Sequence, residues 1–254
     1  MSELKVLVTA GAGGIGRAIA EAFSATGALV AVCDIDVEGL KQLERELPDL
    51  MTVQCDVADV SSVERMIDQV TEQLGGLDVL INNAGIAGVT APAGELCLRD
   101  WEKVLRVNLT GTFDVTRCAL PYLKAAGSGA IVNMSSVAGR FGYPNRIAYS
   151  TTKWGLIGFT KTLAIELGEF NITVNAILPG AVDGPRFQSV LEGRAKVSGR
   201  TVDEETQAAL ASQSIKRLVD PRHIADLAVF LASDSGRSIS GQMLPIDCDM
   251  QHTS

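Results

Sequence analysis

The sequence has little positive charge, few aromatic residues and almost no histidine. Lysine and arginine number 22 against 30 aspartates and glutamates, a formal net charge of -8. This balance argues against a nucleic-acid groove or an anionic membrane surface as partner. No apolar run approaches the ~20 residues that a bilayer-spanning helix requires, so no membrane is expected. The first strand candidate begins at Leu4, which leaves no room for a cleavable signal peptide. The five cysteines (Cys33, Cys55, Cys97, Cys118 and Cys248) form no C-x-x-C pair, and only His223 and His252 are present to join them. No metal site is expected from so scattered a set. Reduced thiols in a cytoplasmic protein are the expectation. His223 falls in DPRHIADL, a helix start, where a capping or surface role fits better than catalysis.

What is present is alternation. Short β-branched runs at Lys5–Thr9, Leu29–Asp34, Met51–Asp56, Val79–Asn82, Ala130–Met134, Thr173–Leu178 and Met243–Asp247 are separated by helical patterns. Val60, Val63, Ile67, Val70 and Leu74 share one helix face, as do Leu156, Phe159, Leu163 and Leu167 on a helix from about Ala148 to Gly168. Strands that alternate with helices, and that are apolar nearly throughout, predict an α/β fold. Its parallel sheet of about seven strands is covered by helices on both faces. A chain of 254 residues with 46% hydrophobic content can bury one large core, so a single domain over 1–254 is expected. Asp183 to Lys216 departs from the pattern with charges, glycines and little strand character. Because it follows a strand carboxyl end, it reads as a partly helical lid over a site.

LKVLVTAGAGGIGRAIAEAF is a strand, a glycine-rich turn and a helix. Gly11, Gly13 and Gly16 fit G-x-G-x-x-G in the strand-to-helix setting that a dinucleotide diphosphate uses. Glycines let the backbone approach the diphosphate, which rests on the helix amino terminus. Asp34 ends the second strand at about the distance, roughly 20 residues on, where a carboxylate accepts hydrogen bonds from an adenosine ribose. A 2′-phosphate there would meet Asp34 at roughly 4 kcal/mol of repulsion per unit charge, taking ~4 Å and an effective dielectric near 20. No lysine or arginine lies within the turn or directly after Asp34 to offset this, so NAD is favoured over NADP.

SVAGRFGYPNRIAYSTTK places Tyr149 and Lys153 four apart, on one helix face. A free tyrosine titrates near ~10, so bringing it to about 7 requires roughly 4 kcal/mol. One ammonium at ~4 Å under an effective dielectric of ~20 supplies about that amount. Ser136, about a dozen residues upstream at the end of GAIVNMSS, can hold the same substrate oxygen.

Together the glycine turn, Asp34, NNAG at Asn82–Gly85, Asn108 in VNLTG and the Ser136/Tyr149/Lys153 set resemble the short-chain dehydrogenase/reductase family. The likeness runs from the first strand through Pro179–Gly180 to SGQMLPID. It implies a Rossmann-type doubly wound sheet and a homotetramer or homodimer that transfers hydride between a nicotinamide cofactor and an alcohol or carbonyl. By that resemblance Tyr149 is the acid/base, Lys153 binds the nicotinamide ribose and lowers the tyrosine pKa, and Ser136 polarises the substrate oxygen. Asn108 helps hold a water chain, a role compatible with bridging a kinked helix. Asp56 and Val57 match positions flanking adenine, and Asn82, Ala84 and Gly85 match the turn beside the ribose. Gly14 and Ile15 complete the glycine turn; Ile177, Pro179, Gly180 and Val182 match the segment facing nicotinamide.

The chain also departs from the family pattern. Ala10 stands where the glycine turn usually has its first glycine, which predicts altered turn dihedrals with binding retained. Gly184 stands near a common threonine, and Cys248 follows Asp247 where glycine is common. Arg146, three before Tyr149, can reach the substrate cleft, with Arg140, Arg186 and Arg194 as further candidates. Arginine binds carboxylates bidentately, so a small polar or acidic hydroxy substrate is expected. A polyol or an aromatic diol remains open, as does solvation of these arginines or pairing with Asp183 and Glu192. Two other readings stand beside the dehydrogenase: a dehydratase or epimerase using bound dinucleotide, and a non-catalytic NAD-binding scaffold.

Overall fold

The computed structural model describes residues 4–253. Seven strands, β1 (Lys5–Thr9), β2 (Leu29–Asp34), β3 (Met51–Gln54), β4 (Val79–Asn82), β5 (Gly129–Met134), β6 (Ile172–Pro179) and β7 (Met243–Ile246), form one sheet. Their order is β3-β2-β1-β4-β5-β6-β7, and every pairing is parallel. The α/β fold expected from the alternation is therefore the fold observed.

The near-continuous apolar strands follow from burial on both faces. Val6, Val8, Val30, Val32, Ile81 and Val132 point into one core, together with Ile19, Ala20 and Phe23 of α1 (Gly14–Ala25) and Ile224, Ala225 and Ala228 of α9 (Pro221–Ala232). Their neighbours Leu7, Ala31, Leu80, Ile131 and Val174 point into the other. There they meet Val63, Ile67 and Val70 of α3 (Val60–Leu74), Val115 and Leu123 of α5 (Thr112–Ala125), and Leu163 of α6 (Ile147–Leu167). The period-two alternation of a strand thus feeds two cores at once. The remaining α-helices before β6 are α2 (Val37–Glu46) and α4 (Leu98–Leu105).

β3 stops two residues short of its expected end. The chain turns at Asp56, whose Oδ1 accepts from the Ala58 N–H at 2.9 Å. The strand order reverses between β1 and β4, and this is where an open parallel sheet has its crevice at the carboxyl ends. The irregular segment after β6 folds as two helices, α7 (Pro185–Ser198) and α8 (Val202–Ala211). Gly199, with φ 74°, ends α7, and a capping box between Thr201 and Glu204 starts α8.

Candidate active site

The glycine turn leaves β1 at Thr9 and enters α1 at Gly14. Its glycines do different work. A Cβ on Gly16 would lie 2.1 Å from the Ala10 carbonyl oxygen, so only glycine lets α1 pack this close to the strand end. A Cβ on Gly11 would press on Val32 at 2.6 Å, whereas one on Gly13 would meet nothing within 4 Å and would project into open space. Gly14 takes φ 54°, in the left-handed region. Ala10 also takes a left-handed φ, 52°. The departure predicted at this residue is absorbed as local strain, roughly 1 kcal/mol for a non-glycine. The α1 cap is Gly13, which makes no side-chain hydrogen bond, so the first N–H groups of the helix need an acceptor from elsewhere.

Asp34, at the carboxyl end of β2, binds this turn. Its Oδ2 accepts from the Ala12 N–H and its Oδ1 from the Asp36 N–H, both at 3.0 Å. Each carboxylate oxygen has a second lone pair for a ribose hydroxyl. One strand over, Asp56 is exposed and Val57 is buried beneath it. Thr9 Oγ1 accepts from the Asn83 and Ala84 N–H groups at 3.0 and 2.9 Å, which shapes the turn after β4. The Asn82 side chain faces the interior, away from this crevice. Its Nδ2 donates to Thr116 Oγ1 and Asn133 Oδ1 at 3.0 and 2.9 Å, because the alternation that turns Ile81 to one core turns Asn82 to the other. Asn83, not singled out in the sequence, lines the crevice instead.

A cavity of about 380 Å³ opens between the turn, the ends of β5 and β6, and α7. Gly13, Gly14, Ile15, Pro179, Gly180 and Val182 lie on its wall together with Ser136, Tyr149 and Lys153. A Cβ on Gly180 would meet Asp247 at 2.8 Å, which explains the glycine after Pro179. Ile177 is fully buried beneath and belongs to the core. The donor set and the open face at Gly13 fit a dinucleotide: free helix N–H groups for the diphosphate, Asp34 for one ribose and Lys153 for the other.

Three contacts lock the serine, tyrosine and lysine together. Ser135 Oγ donates to the Lys153 carbonyl at 2.8 Å, and Ser150 Oγ donates to the Ala138 carbonyl at 2.8 Å. The turn Val137–Gly139 packs so tightly that a Cβ on Gly139 would lie 2.6 Å from the Lys153 carbonyl. Ser135 is therefore committed to α6. Ser136 is not: its Oγ accepts from the Ala138 N–H at 3.1 Å and keeps its own hydrogen to donate.

Lys153 is buried, with Nζ 5.5 Å from the Tyr149 ring centroid. Nζ donates to the Met134 carbonyl at 2.7 Å, which leaves two of its three N–H groups for other acceptors. Burial, with repulsion from Arg186 added, pushes its pKa down to about 7. The charge expected to assist Tyr149 is thus weakened in the ligand-free protein.

Asn108 sits in a π-helical turn, Arg106–Gly111, between α4 and α5. Its side chain clamps Ile86, accepting from the N–H at 2.7 Å and donating to the carbonyl at 3.0 Å. Nδ2 also donates to Thr152 Oγ1 at 3.1 Å, and that hydroxyl donates to the Tyr149 carbonyl at 2.7 Å. Asn108 therefore ties the loop after β4 to the turn of α6 that carries Tyr149.

The arginines divide. Arg140 does not line the cavity and is exposed: the turn capped by Ser136 directs it outward, over the Phe141 ring at 5.1 Å. This corrects its expected place at the substrate. Arg186 lines the cavity and donates to the Gly85 carbonyl at 2.6 Å. Arg146 is buried in the wall, 5.3 Å from the Tyr149 ring centroid. Tyr143, which no motif marked, lies edge-on to Tyr149 at 6.4 Å and accepts from Arg194 Nη2 at 2.5 Å. Near the chain end, Cys248 takes φ 57°, so the residue in place of a common glycine is again in the left-handed region.

Comparison with known proteins places this arrangement among enzymes. The family model described as enoyl-(acyl carrier protein) reductase matches residues 10–250. A cis-4-hydroxycyclohexanecarboxylate dehydrogenase from Sinomonas cyclohexanicum is 37% identical over 250 residues, covering 97% of this chain and 96% of its own. Among solved structures, an NAD⁺-bound xylitol dehydrogenase has a TM-score of 0.92 at 32% identity, covering 95% of this chain and 96% of its own. An actinorhodin polyketide ketoreductase solved with NADPH has a TM-score of 0.92 at 34% identity, covering 96% of each chain.

Proposed function

The chain belongs to the short-chain dehydrogenase/reductase family, and from that premise we propose that it is an NAD-dependent oxidoreductase interconverting a secondary alcohol and a ketone. Its substrate is a small polar or acidic hydroxy compound. The observation that carries this reading is the convergence of Ser136, Tyr149 and Lys153 on the cavity that the glycine turn opens into. When bound, the dinucleotide supplies the acceptor or donor of hydride.

The side chains handle the proton. Tyr149 Oη takes it from the alcohol in oxidation and returns it to the oxygen of the ketone in reduction. Ser136 Oγ, with its hydrogen unspent, donates to that same oxygen and holds it in place. Two N–H groups of Lys153 not used by Met134 would hold the hydroxyls of the nicotinamide ribose, and such acceptors would favour the ammonium that burial disfavours. Asn108 is a positioning residue, holding Tyr149 through Thr152. Gly11, Gly13, Gly14, Ile15 and Gly16 hold the diphosphate, while Asp34, Asp56 and Val57 surround the adenosine. Ala84 and Gly85 lie in the turn beside the ribose, and Pro179, Gly180 and Val182 line the nicotinamide half. Asp34 without a neighbouring cation supports NAD, and the relatives solved with NAD⁺ and with NADPH show that this choice varies between proteins of the fold.

The helices α7 and α8 act as a lid on the cavity, to which they contribute Phe187, Val190 and Ala209. Exposed Phe113, Trp154 and Ile165 on α5 and α6 support assembly into a homo-oligomer, a tetramer or a dimer. The scattered, unpaired cysteines support a cytoplasmic location.

The test is a panel of secondary alcohols, hydroxy acids and polyols with NAD and with NADP. Appearance of reduced-nicotinamide absorbance with NAD supports the reading. Isomerisation with no net cofactor change makes the protein an epimerase instead.

A further inference from the structure

The cavity wall contains a charge that no carboxylate among the described residues answers. Arg146 is only 3% exposed. Its Nη2 donates to the Ala87 carbonyl at 2.9 Å and its Nη1 to Thr90 Oγ1 at 3.3 Å, both neutral acceptors. Nε is buried with no partner, and no carboxylate among the described residues lies within ion-pairing distance of this guanidinium. A buried cation normally keeps a counter-ion, because desolvation is costly without one. Burial pushes the Arg146 pKa down; the neighbouring Tyr143 and Tyr149 act against that shift, while the charges of Arg194 and Arg186 add to it. Three guanidiniums thus share one cleft of a protein whose formal net charge is -8. Among the described residues the cavity wall carries one carboxylate, Asp183, exposed at the rim.

The charges are held in place. The guanidinium of Arg146 lies 5.5 Å from the Tyr143 ring centroid and that of Arg194 lies 5.2 Å from the same ring. Tyr143 therefore stands between two cations while its edge meets Tyr149. Part of the wall is of a different kind: Val137, Phe187, Val190 and Met250 give it an apolar face, beside the polar Ser212 and Thr253. A polyol would leave both that surface and the buried guanidinium unmatched. A neutral thioester on a carrier would satisfy the first but not the second.

Building on the alcohol–ketone reading, we propose that Arg146 binds a carboxylate of the substrate. The substrate class is then a small hydroxy or oxo monocarboxylic acid, with an apolar body between the acid and the carbon that is oxidised. The N–H groups of this cavity-lining guanidinium that Ala87 and Thr90 do not use form the fork that a carboxylate fills bidentately. Arg194 and Tyr143 are specificity-determining residues that position this fork beside Tyr149.

The experiment compares 3-hydroxybutanoate, 4-hydroxypentanoate and 5-hydroxyhexanoate with their primary amides, using NAD and the full-length wild-type protein. Binding of the unreactive pair hexanoate and hexanamide is measured by calorimetry in parallel. At least one acid is expected to exceed its amide in kcat/KM by roughly 100-fold or more, the cost of leaving a buried charge unpaired. Hexanoate binds and hexanamide does not. Arg146→Met lowers the acid-to-amide ratio of kcat/KM by a similar factor, while Arg146→Lys recovers part of that ratio. Equal turnover of acid and amide by the wild type, or equal loss of both in Arg146→Met, overturns the proposal, and the wild-type comparison needs no variant to fold. Hexanoate binding that depends on Arg146 without turnover of any alcohol supports the subsite and removes the alcohol–ketone reading. Oxidation of neutral alcohols with no hexanoate binding does the reverse.

Discussion

The two halves of the crevice are built on opposite principles. On the β1–β2–β3 side the backbone does the work: Asp34 is tied by two N–H groups, Thr9 by two more, and the glycines admit close approach. On the β5–β6–α7 side, side chains carry charge into a buried place and leave it uncompensated, at Lys153 and Arg146. The first half is complete as a receptor before anything binds. The second holds charge that its own side chains do not balance, matched under the proposed readings by hydroxyls at Lys153 and an anion at Arg146. A site that carries such desolvated charge gives up stability to gain selectivity, because the ligand that supplies the counter-group recovers what folding lost.

The comparison breaks most visibly at Gly16. A Cβ there would lie 2.1 Å from the Ala10 carbonyl and 2.6 Å from the Asn83 amide, so Gly16→Ala must displace α1 from the strand end. NAD affinity should fall by roughly 100-fold or more, with a loss of about 1–3 kcal/mol in stability, typical of overpacking. Calorimetry and denaturant unfolding check both, and unchanged NAD affinity would show that the half is less rigid than described. Asp34→Ala comes next. Removing the carboxylate should shift the NAD-to-NADP ratio of kcat/KM toward NADP by roughly 100-fold, a fraction of the full repulsion at ~4 Å. A constant ratio would take Asp34 out of the discrimination.

Lys153 gives a smaller effect with a definite sign. Burial pushes its pKa down to about 7; under the proposed function, ribose hydroxyls accepting its N–H groups would raise it, so binding would take up a proton. NAD affinity should therefore weaken as pH rises through 7, by at most about tenfold per pH unit. The stability linkage runs separately. A lysine whose folded pKa lies below its unfolded value costs stability at low pH, and the cost is relieved as pH climbs from about 7 towards ~10.4. Lys153→Met should accordingly gain several degrees in Tm over wild type near pH 6 and lose that advantage near pH 10. Proton uptake measured in buffers of different ionisation enthalpy, with melting curves at several pH values, tests both. Smallest is Ala10→Gly, which removes the left-handed strain at φ 52° and should change stability by no more than about 1 kcal/mol. A larger change in either direction would mean that the turn rearranges.

The same contrast explains how much could be read from the sequence. The backbone-built half is local: a glycine turn, its flanking strand and the aspartate ending the next strand occupy one short stretch, so spacing alone brought them together as one candidate site. The seven strands were equally legible, since burial on both faces leaves no polar interruptions to confuse the pattern. The other half is assembled from distant segments. Arg146 meets Ala87 and Thr90 from the loop after β4, Tyr143 meets Arg194 from α7, and Met250 comes from the chain end. No spacing rule tells a buried, unpaired arginine from one that is solvated at a helix start. Asn82 and Arg140 were misplaced for a related reason. A one-residue change of side in a strand, or one turn of a short helix, reverses which way a side chain faces.

The central claim is that the proton of the reaction passes through one phenolic oxygen beside an intact NAD site, and Tyr149→Phe tests it most directly. Turnover of the best alcohol found with NAD should fall by roughly three orders of magnitude or more, while NAD binding by calorimetry stays within about threefold, because the hydroxyl is asked for proton transfer and not for cofactor affinity. Turnover near that of the wild type, with NAD still bound, would contradict the account.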